Sequence, residues 1–203
     1  MKINEEVYAL NITSELGITK EDIFLTVLKD KNSMVLIDTG YPGLYQNIHS
    51  AFQKDNLDIT NLETIILSHQ DIDHIGSAKL LKEQSQNKIK ILSHEQEADY
   101  ISGEKTPLKL ITFEKKLKYM KEPEKADKIY KGMKRGYEMC YLNVDKTLKD
   151  NEVLPICGGV TILHTPGHTH GHICLYINVK NFSNNSANIL MYNYLIIFIR
   201  YFR

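Results

Sequence analysis

The chain has 203 residues, with 25 basic and 25 acidic side chains, and 42% of its residues are hydrophobic. This composition excludes disordered, collagen-like and coiled-coil proteins and predicts one globular domain over residues 1–203. A formal net charge of zero provides no basic surface for nucleic acid and no polybasic membrane anchor, so we expect neither partner. Three cysteines without CxxC spacing and an N-terminus without a secretory signal favour a cytoplasmic location.

Short β-rich segments come first along the chain. Residues 6–12, 23–29 and 34–37 are rich in Val, Ile, Leu and Phe and end at turn signals. Helical patterns over 44–52 and 77–82 then alternate with apolar strands at 64–67 and 89–92, and two later strands, 160–163 and 173–177, flank a histidine-rich turn. This order predicts an α/β fold.

A basic segment interrupts this pattern at residues 105–140. Between Lys105 and Arg135, eleven Lys or Arg residues stand against four Asp or Glu, with apolar residues at helical spacing. We predict a helical insertion whose lysines form either a solvated helix face or a lid over a site. As a lid it would favour an anionic substrate, and Tyr119, Tyr130 and Tyr137 could contact a developing oxyanion.

Six of the eight histidines fall in two short loops, and each loop directly follows a predicted strand. The first loop contains His69, Asp71, Asp73 and His74, and the second contains His164, His168, His170 and His172. Open α/β sheets place their sites at the carboxyl ends of strands, and imidazole and carboxylate donors bind zinc, manganese or iron. The two loops therefore predict a metal site, whereas His49 and His94 stand apart and are interpreted as structural.

The first loop, His69-Gln70-Asp71-Ile72-Asp73-His74, resembles the His-x-His-x-Asp-His motif of the metallo-β-lactamase fold hydrolases. Residues 36–40 upstream and 165–172 downstream match two further motifs in the family's order and approximate separation. The resemblance covers roughly residues 5 to 177. It implies an αββα sandwich, incomplete here in its C-terminal part, with the metals between loops at one edge of two facing sheets.

The resemblance also implies roles for individual residues. Up to two divalent ions would be held, the first by His69, Asp71 and His168, and the second beginning with Asp73 and His74. Asp73 would in addition orient the attacking hydroxide and pass a proton to the leaving group. His172 and Asp38 would support the ligands from behind, although Asp38 could instead only cap a turn.

Two departures from the family pattern bear on these expectations. Asp71 replaces the family's usual second histidine, and this harder anionic donor leaves zinc, manganese and iron as candidate metals. The family also needs a bridging aspartate and a final histidine further on, but the chain has no acidic residue after Glu152 and no histidine after His172.

The last part of the chain, residues 178–203, is compositionally unlike the rest. It is built almost wholly from Asn, Ile, Tyr, Phe, Leu, Ser and Lys, as an AT-rich reading frame after a frameshift would be. We therefore expect the normal fold to stop near residues 177–180, with a natural short variant as the alternative. The apolar stretch 189–199 is shorter than the ~20 residues that span a bilayer.

Together these features predict a metal-dependent hydrolase of a small ester, thioester, lactone or amide. The ion would polarise the carbonyl and lower the pKa of bound water towards about 7, which makes hydroxide available at neutral pH. The neutral charge argues against a nucleic-acid phosphodiester as the substrate. A non-catalytic metal-binding remnant or truncated fragment is the main alternative, and a di-iron redox protein is a third.

Overall fold

The computed structural model describes residues 1–16, 19–117, 119–180, 188–192 and 195–202. A first sheet has six strands in sequential order: β1 (Val7–Leu16), β2 (Thr19–Lys29), β3 (Met34–Ile37), β4 (Thr64–Leu67), β5 (Lys90–His94) and β6 (Lys146–Leu148). The pairs β1–β2 and β2–β3 are antiparallel, whereas β3 to β6 run parallel. The carboxyl ends of β3, β4 and β5 therefore meet at one edge of the sheet.

A second sheet follows in the order β10-β11-β9-β8-β7. Its strands are β7 (Val153–Leu154), β8 (Val160–His164), β9 (Ile173–Lys180), β10 (Asn188–Tyr192) and β11 (Leu195–Phe202). The described backbone continues beyond residues 177–180, where the sequence predicts that the normal fold stops: β11 pairs in parallel with β9, and β10 pairs with β11. The Ile- and Phe-rich composition of β11 suits a strand that is paired on both sides, between β10 and β9.

Six α-helices lie between β3 and β6. They are α1 (Tyr45–Lys54), α2 (Ile72–Ile75), α3 (Ala78–Gln84), α4 (Glu95–Ser102), α5 (Leu108–Leu117) and α6 (Pro123–Cys140). The sequence patterns did not predict α2, α4, β6 or β7, each of which is short. Among the residues that the structure describes, no helix combines the length and hydropathy needed to cross a membrane.

The strands of the first sheet are buried on both faces, which produces two hydrophobic clusters. Along β3, Met34 and Leu36 face a cluster to which all six helices contribute, and Val35 and Ile37 face the second sheet. This alternation follows from the two-residue period of a strand. The result is a helix layer on one sheet that faces a second sheet, and it confirms the predicted metallo-β-lactamase-like α/β sandwich.

The two sheets meet beside the histidine loops. The backbone N–H of Ile173, the first residue of β9, donates to the carbonyl of Ser68, which directly follows β4, at 3.2 Å. The turn between β8 and β9 is thereby fixed next to the carboxyl end of β4. The fold thus brings together two loops that are about one hundred residues apart in the sequence.

Candidate metal centre

Asp38 joins the ends of two neighbouring parallel strands. It follows β3 with a left-handed φ of 57°, a conformation that Asp tolerates better than most residues. Its Oδ1 accepts the backbone N–H of Ser68 at 2.7 Å, and its Oδ2 accepts the Ser68 hydroxyl at 2.7 Å and Nδ1 of His74 at 2.8 Å. Of the two roles considered for Asp38, this geometry favours the one that supports the histidines.

The Asp38 network also fixes which nitrogen of each histidine is available to a metal. A carboxylate only accepts, so Nδ1 of His74 carries a proton. The Ser68 hydroxyl donates to Asp38 and therefore accepts from Nδ1 of His69, 2.9 Å away. In the neutral form of each ring Nε2 carries the lone pair, and both Nε2 atoms are buried without a partner in hydrogen-bond geometry. A cation at these atoms would satisfy them.

Three donors from the two loops converge at one point. Oδ2 of Asp71 lies 3.2 Å from Nε2 of His69 and 2.7 Å from Nε2 of His168. The three donor atoms all lie within 4.8 Å of one another. Donors around a tetrahedral zinc ion, each at about 2.1 Å, are about 3.4 Å apart, so modest side-chain movement would let these residues bind a divalent ion.

The electrostatics of the cluster favour its metal-binding forms. Burial lowers the pKa of His69 to about 4, so its imidazole is neutral near pH 7. Burial by itself would raise the pKa of Asp71, but His69 and Lys109 outweigh it and hold the pKa well below the ordinary value. A neutral imidazole and an ionised carboxylate are the forms that metals require.

Asp73 and His74 lie beside this cluster without joining it in the part of the chain that the structure describes. Nε2 of His74 is 3.6 Å from Oδ2 of Asp73, and the His74 ring lies 4.0 Å from the ring of His69. Burial lowers the pKa of His74, but the Asp38 carboxylate outweighs it and the net pKa is raised. These two residues border the three-donor cluster on the α2 side.

The remaining histidines are outside the cluster. His172 is buried, its Nδ1 lies 2.8 Å from Oγ1 of Thr165, and its ring is 5.1 Å from that of His69, which is consistent with the supporting role predicted for it. His164 donates from Nε2 to the His170 carbonyl at 2.8 Å and stacks on His94 at 4.3 Å. His94 in turn accepts the Gln96 N–H and caps α4, and His49 lies on α1.

Lys109 was not recognised as a site residue in the sequence, although it lies in the basic insertion. Its Nζ is 2.8 Å from Oδ2 of Asp71 and 3.5 Å from Oδ1 of Asp73. Partial burial opposes the charge of this ammonium, but Asp71 outweighs it and raises the pKa of Lys109. Helix α5 therefore borders the centre and carries a positive charge to it.

The tyrosines of the insertion do not have the predicted role of oxyanion contacts. Tyr137 is fully buried in the core cluster on the helix side, and Tyr119 is 78% exposed. Tyr130 stacks on Phe113 with ring centroids 6.3 Å apart. On α6, helical spacing turns Tyr137 towards the core and Tyr130 towards α5, whereas Tyr119 precedes that helix.

Glu97 is a second residue that sequence reasoning missed. It is fully buried on α4, and its Oε2 accepts the backbone N–H of Gln70 at 2.9 Å and the Gln70 side-chain amide at 3.0 Å. Its Oε1 accepts the N–H of Gly171 at 2.7 Å, and the Gln70 amide oxygen accepts the Leu108 N–H at 2.8 Å. One carboxylate thereby holds both ligand loops, and Gln70 extends the connection to α5. The available signal was that Glu97 shares a helix face with buried Ile101, four residues later.

Gly76 permits a close approach that helps to fix α2. A Cβ at this position would lie 2.3 Å from the backbone N of Pro42 and 2.3 Å from the carbonyl carbon of Tyr41. The Gly76 N–H donates to the Gly40 carbonyl at 2.9 Å, and the Thr39 N–H donates to the His74 carbonyl at 2.7 Å. The loop after β3 is therefore fastened to the segment that carries Asp73 and His74.

The family model described as "Metallo-beta-lactamase superfamily" matches residues 19–182. A curated relative, "Probable metallo-hydrolase YqjP" of Bacillus subtilis (strain 168), is 24% identical over 179 residues. That alignment covers 85% of this chain and 53% of the relative, so the chain spans about half the length of this relative.

Solved structures show the same fold at low sequence identity. The native FEZ-1 metallo-beta-lactamase from Legionella gormanii superposes with a TM-score of 0.63 at 20% identity, covering 86% of this chain and 55% of that one. The class B3 di-zinc metallo-beta-lactamase LRA-12 from an Alaskan soil metagenome gives a TM-score of 0.62 at 16% identity, covering 87% and 61%. In both cases the match covers less than two thirds of the solved chain.

Proposed function

The chain belongs to the metallo-beta-lactamase superfamily, and from that premise we propose that it hydrolyses a small ester, thioester, lactone or amide with the help of a divalent metal. The observation that carries the proposal is the donor cluster of His69, Asp71 and His168, in which a buried Nε2 has no hydrogen bond. Similarity to a curated relative called a probable metallo-hydrolase supports the same reaction type.

Zinc is the metal we propose for this cluster, with manganese and iron as alternatives. Two imidazole nitrogens suit zinc, and the structurally similar LRA-12 is described as a di-zinc metallo-beta-lactamase. The Asp71 carboxylate is a harder donor than a third imidazole and extends the range to manganese and iron. When bound, such an ion polarises a carbonyl group and lowers the pKa of water.

We propose that Asp73 acts as the general base. It is partly buried, lies on the first turn of α2 next to the donors, and has Oδ2 3.6 Å from His74 and Oδ1 3.5 Å from Lys109. A carboxylate in this position can orient a water molecule and accept its proton. Asp38 and Ser68 would keep both adjacent imidazoles in the tautomer that binds metal.

The test measures metal content and turnover in the same preparations. We expect about one tightly bound zinc per chain by elemental analysis, and zinc-dependent hydrolysis of 4-nitrophenyl esters or of a thioester. Asp73→Asn should keep the tightly bound ion and lower kcat by about a hundredfold, a typical effect of losing a general base. His49→Ala, a change on α1 away from the centre, serves as the control.

A second candidate function is metal binding without turnover. It is favoured by Asp73 and His74, which lie beside the donor cluster without joining it in the described residues, so a second ion would have few ligands. The same preparations distinguish the two candidates. The protein could bind stoichiometric zinc and yet hydrolyse every ester, thioester, lactone and amide tested only at the uncatalysed rate. That result would favour the second function and reject the first.

A further inference from the structure

A cavity of about 290 Å³ lies between the insertion helices and the candidate metal centre. Asp71, His168 and Thr169 line it on the side of the centre, and Leu108, Lys109, Thr112, Phe113, Lys116 and Met133 line it on the side of α5 and α6. A molecule in this cavity would therefore contact both the centre and the insertion. The volume is near the lower end of the range for small-molecule sites.

One face of α5 supplies most of this lining. Lys109, Thr112, Phe113 and Lys116 follow the spacing i, i+3, i+4 and i+7, which places them on the same side of a helix. Leu110, on another face, is buried in the core and anchors the helix. The cavity face thus carries an ammonium group near each end and an aromatic ring between them.

The charge balance in the cavity depends on Asp71. Its Oδ2 contacts Nζ of Lys109 at 2.8 Å as well as the nitrogens of His69 and His168. A cation held by Asp71 and the two histidines would share the carboxylate charge, so the attraction between Asp71 and Lys109 would weaken. Because the Lys109 side chain is 45% exposed, its ammonium could then turn towards an anion in the cavity.

We propose that the substrate carries a carboxylate that Lys109 and Lys116 bind, together with a short apolar segment that packs on Phe113 and Met133. This inference rests on the hydrolase function proposed above and names its substrate class. Two ammonium groups and one carboxylate line the cavity, and that carboxylate, Asp71, is itself a metal donor. Asp73 contacts Lys109 at 3.5 Å from outside the lining, so Lys116 carries the larger share of the positive charge available to an anionic ligand. The Phe113 ring lines the apolar side of the cavity, and stacking on Tyr130 restricts its movement.

Binding is tested with an unreactive acid and its neutral analogue, 4-phenylbutanoate and 4-phenylbutanamide, by calorimetry on the zinc-loaded and the chelator-treated protein. We expect Lys109→Gln and Lys116→Gln each to weaken binding of the acid to the zinc-loaded protein by about tenfold, and to leave the amide within about twofold. Lys115→Gln removes an exposed charge from the same helix outside the cavity lining and should match the parent. Equal affinity for acid and amide in the parent, or unchanged acid affinity in the Lys109→Gln/Lys116→Gln double variant, would overturn the proposal.

Turnover separates this inference from the proposed function. The mono-4-nitrophenyl ester of glutaric acid and the 4-nitrophenyl ester of pentanoic acid differ mainly in the terminal carboxylate. We expect a higher kcat/KM for the charged ester and loss of that preference in the double variant. If the parent hydrolyses neither ester with zinc, ester hydrolysis is rejected as its activity, and the binding of a carboxylate by the lysines is judged by the acid and amide affinities. If it hydrolyses both and the double variant keeps the preference, the hydrolase function stands and the lysine assignment is overturned.

Discussion

The carboxylate of Glu97 accepts the backbone N–H of Gly171 at 2.7 Å, which links α4 to the turn that carries His168. The other oxygen of the same carboxylate accepts two N–H groups of Gln70, next to His69. Two ligand loops from different sheets thus share one buried acceptor. Their relative position, and with it the spacing of the metal donors, depends on a residue that is not itself a donor.

Replacing this acceptor should loosen the metal centre. Glu97→Gln puts an amide NH₂ where a carboxylate oxygen accepted N–H groups, so at least one of these buried hydrogen bonds is lost. We expect zinc affinity to fall by about tenfold to a hundredfold, the usual effect of changing a residue behind metal ligands. A competition titration with a chromophoric chelator measures it. Glu95→Gln, an exposed change on the same helix, is the matched control, and equal affinities in both variants would contradict the expectation.

Two glycine substitutions should change stability in opposite directions. A Cβ at Gly171 would lie 2.8 Å from Cγ of Glu97 and 3.0 Å from Cβ of Gln96, so Gly171→Ala should destabilise the fold by about 1–3 kcal/mol. Gly132 in α6 has open space around its Cβ direction, and Gly132→Ala should stabilise the helix by about 0.5–1 kcal/mol. Urea unfolding of both variants measures the signs. A stable Gly171→Ala protein would show that the turn moves freely relative to α4.

Metal binding should require both histidine loops. His69→Ala and His168→Ala each remove one of three donors, and they come from different sheets. We expect either change to reduce bound zinc from about one per chain to a small fraction after dialysis, because three protein ligands are the usual minimum for a catalytic zinc site. Elemental analysis measures this, with His49→Ala as the control. Full zinc retention by both single variants would reject the assignment of these donors.

Two buried thiols should make stability fall at alkaline pH. Burial raises the pKa of Cys140 to about 11 and that of Cys157 to about 12, against an ordinary value of 9.0. Above pH 9 the unfolded chain loses thiol protons that the folded chain retains, so the contribution is complete below pH 9 and is lost as pH rises towards the folded values.

The Cys140→Ala/Cys157→Ala double variant isolates this effect. Between pH 8 and pH 10 the free energy of unfolding should fall less in the double variant than in the parent protein. We expect the difference to be about 1 kcal/mol for each removed thiol. Urea titrations under reducing conditions give the two slopes, and other titrating groups are common to both proteins. Identical slopes would show that these thiols ionise as readily in the folded chain as in the unfolded one.

The histidine clusters could be located from the sequence because each directly follows an apolar strand, and strand and loop positions are local properties. The choice of His69, Asp71 and His168 as donors came from resemblance to the family's motifs, and their role as metal ligands stays a prediction. Lys109 and Glu97 are different. Each looks like an ordinary charge on an amphipathic helix, and its role arises only where α5 and α4 pack against the loops. Tertiary placement, which no local pattern encodes, decides such contacts.

The same limit explains the errors in the fold. The short strands β6 and β7 have three and two residues and carry too little pattern to predict. The unusual composition of residues 178–203 gave no basis for predicting strands there, because strand pairing depends on backbone hydrogen bonds and β propensity more than on familiar composition. Residues 195–202 have that propensity and lie alongside β9.

The separation of His69 and His168 along the chain gives a bound ion the topology of a cross-link. The two donors are about one hundred residues apart, so an ion that joins them closes nearly half of the polypeptide into a ring. For a covalent cross-link of that size, chain-entropy arguments give about 4.7 kcal/mol of stabilisation through the unfolded ensemble. Unlike a disulfide, an ion leaves the chain when it unfolds, so it stabilises the fold through its free energy of binding and only while metal is supplied. Resistance to proteolysis would then increase with the concentration of free metal.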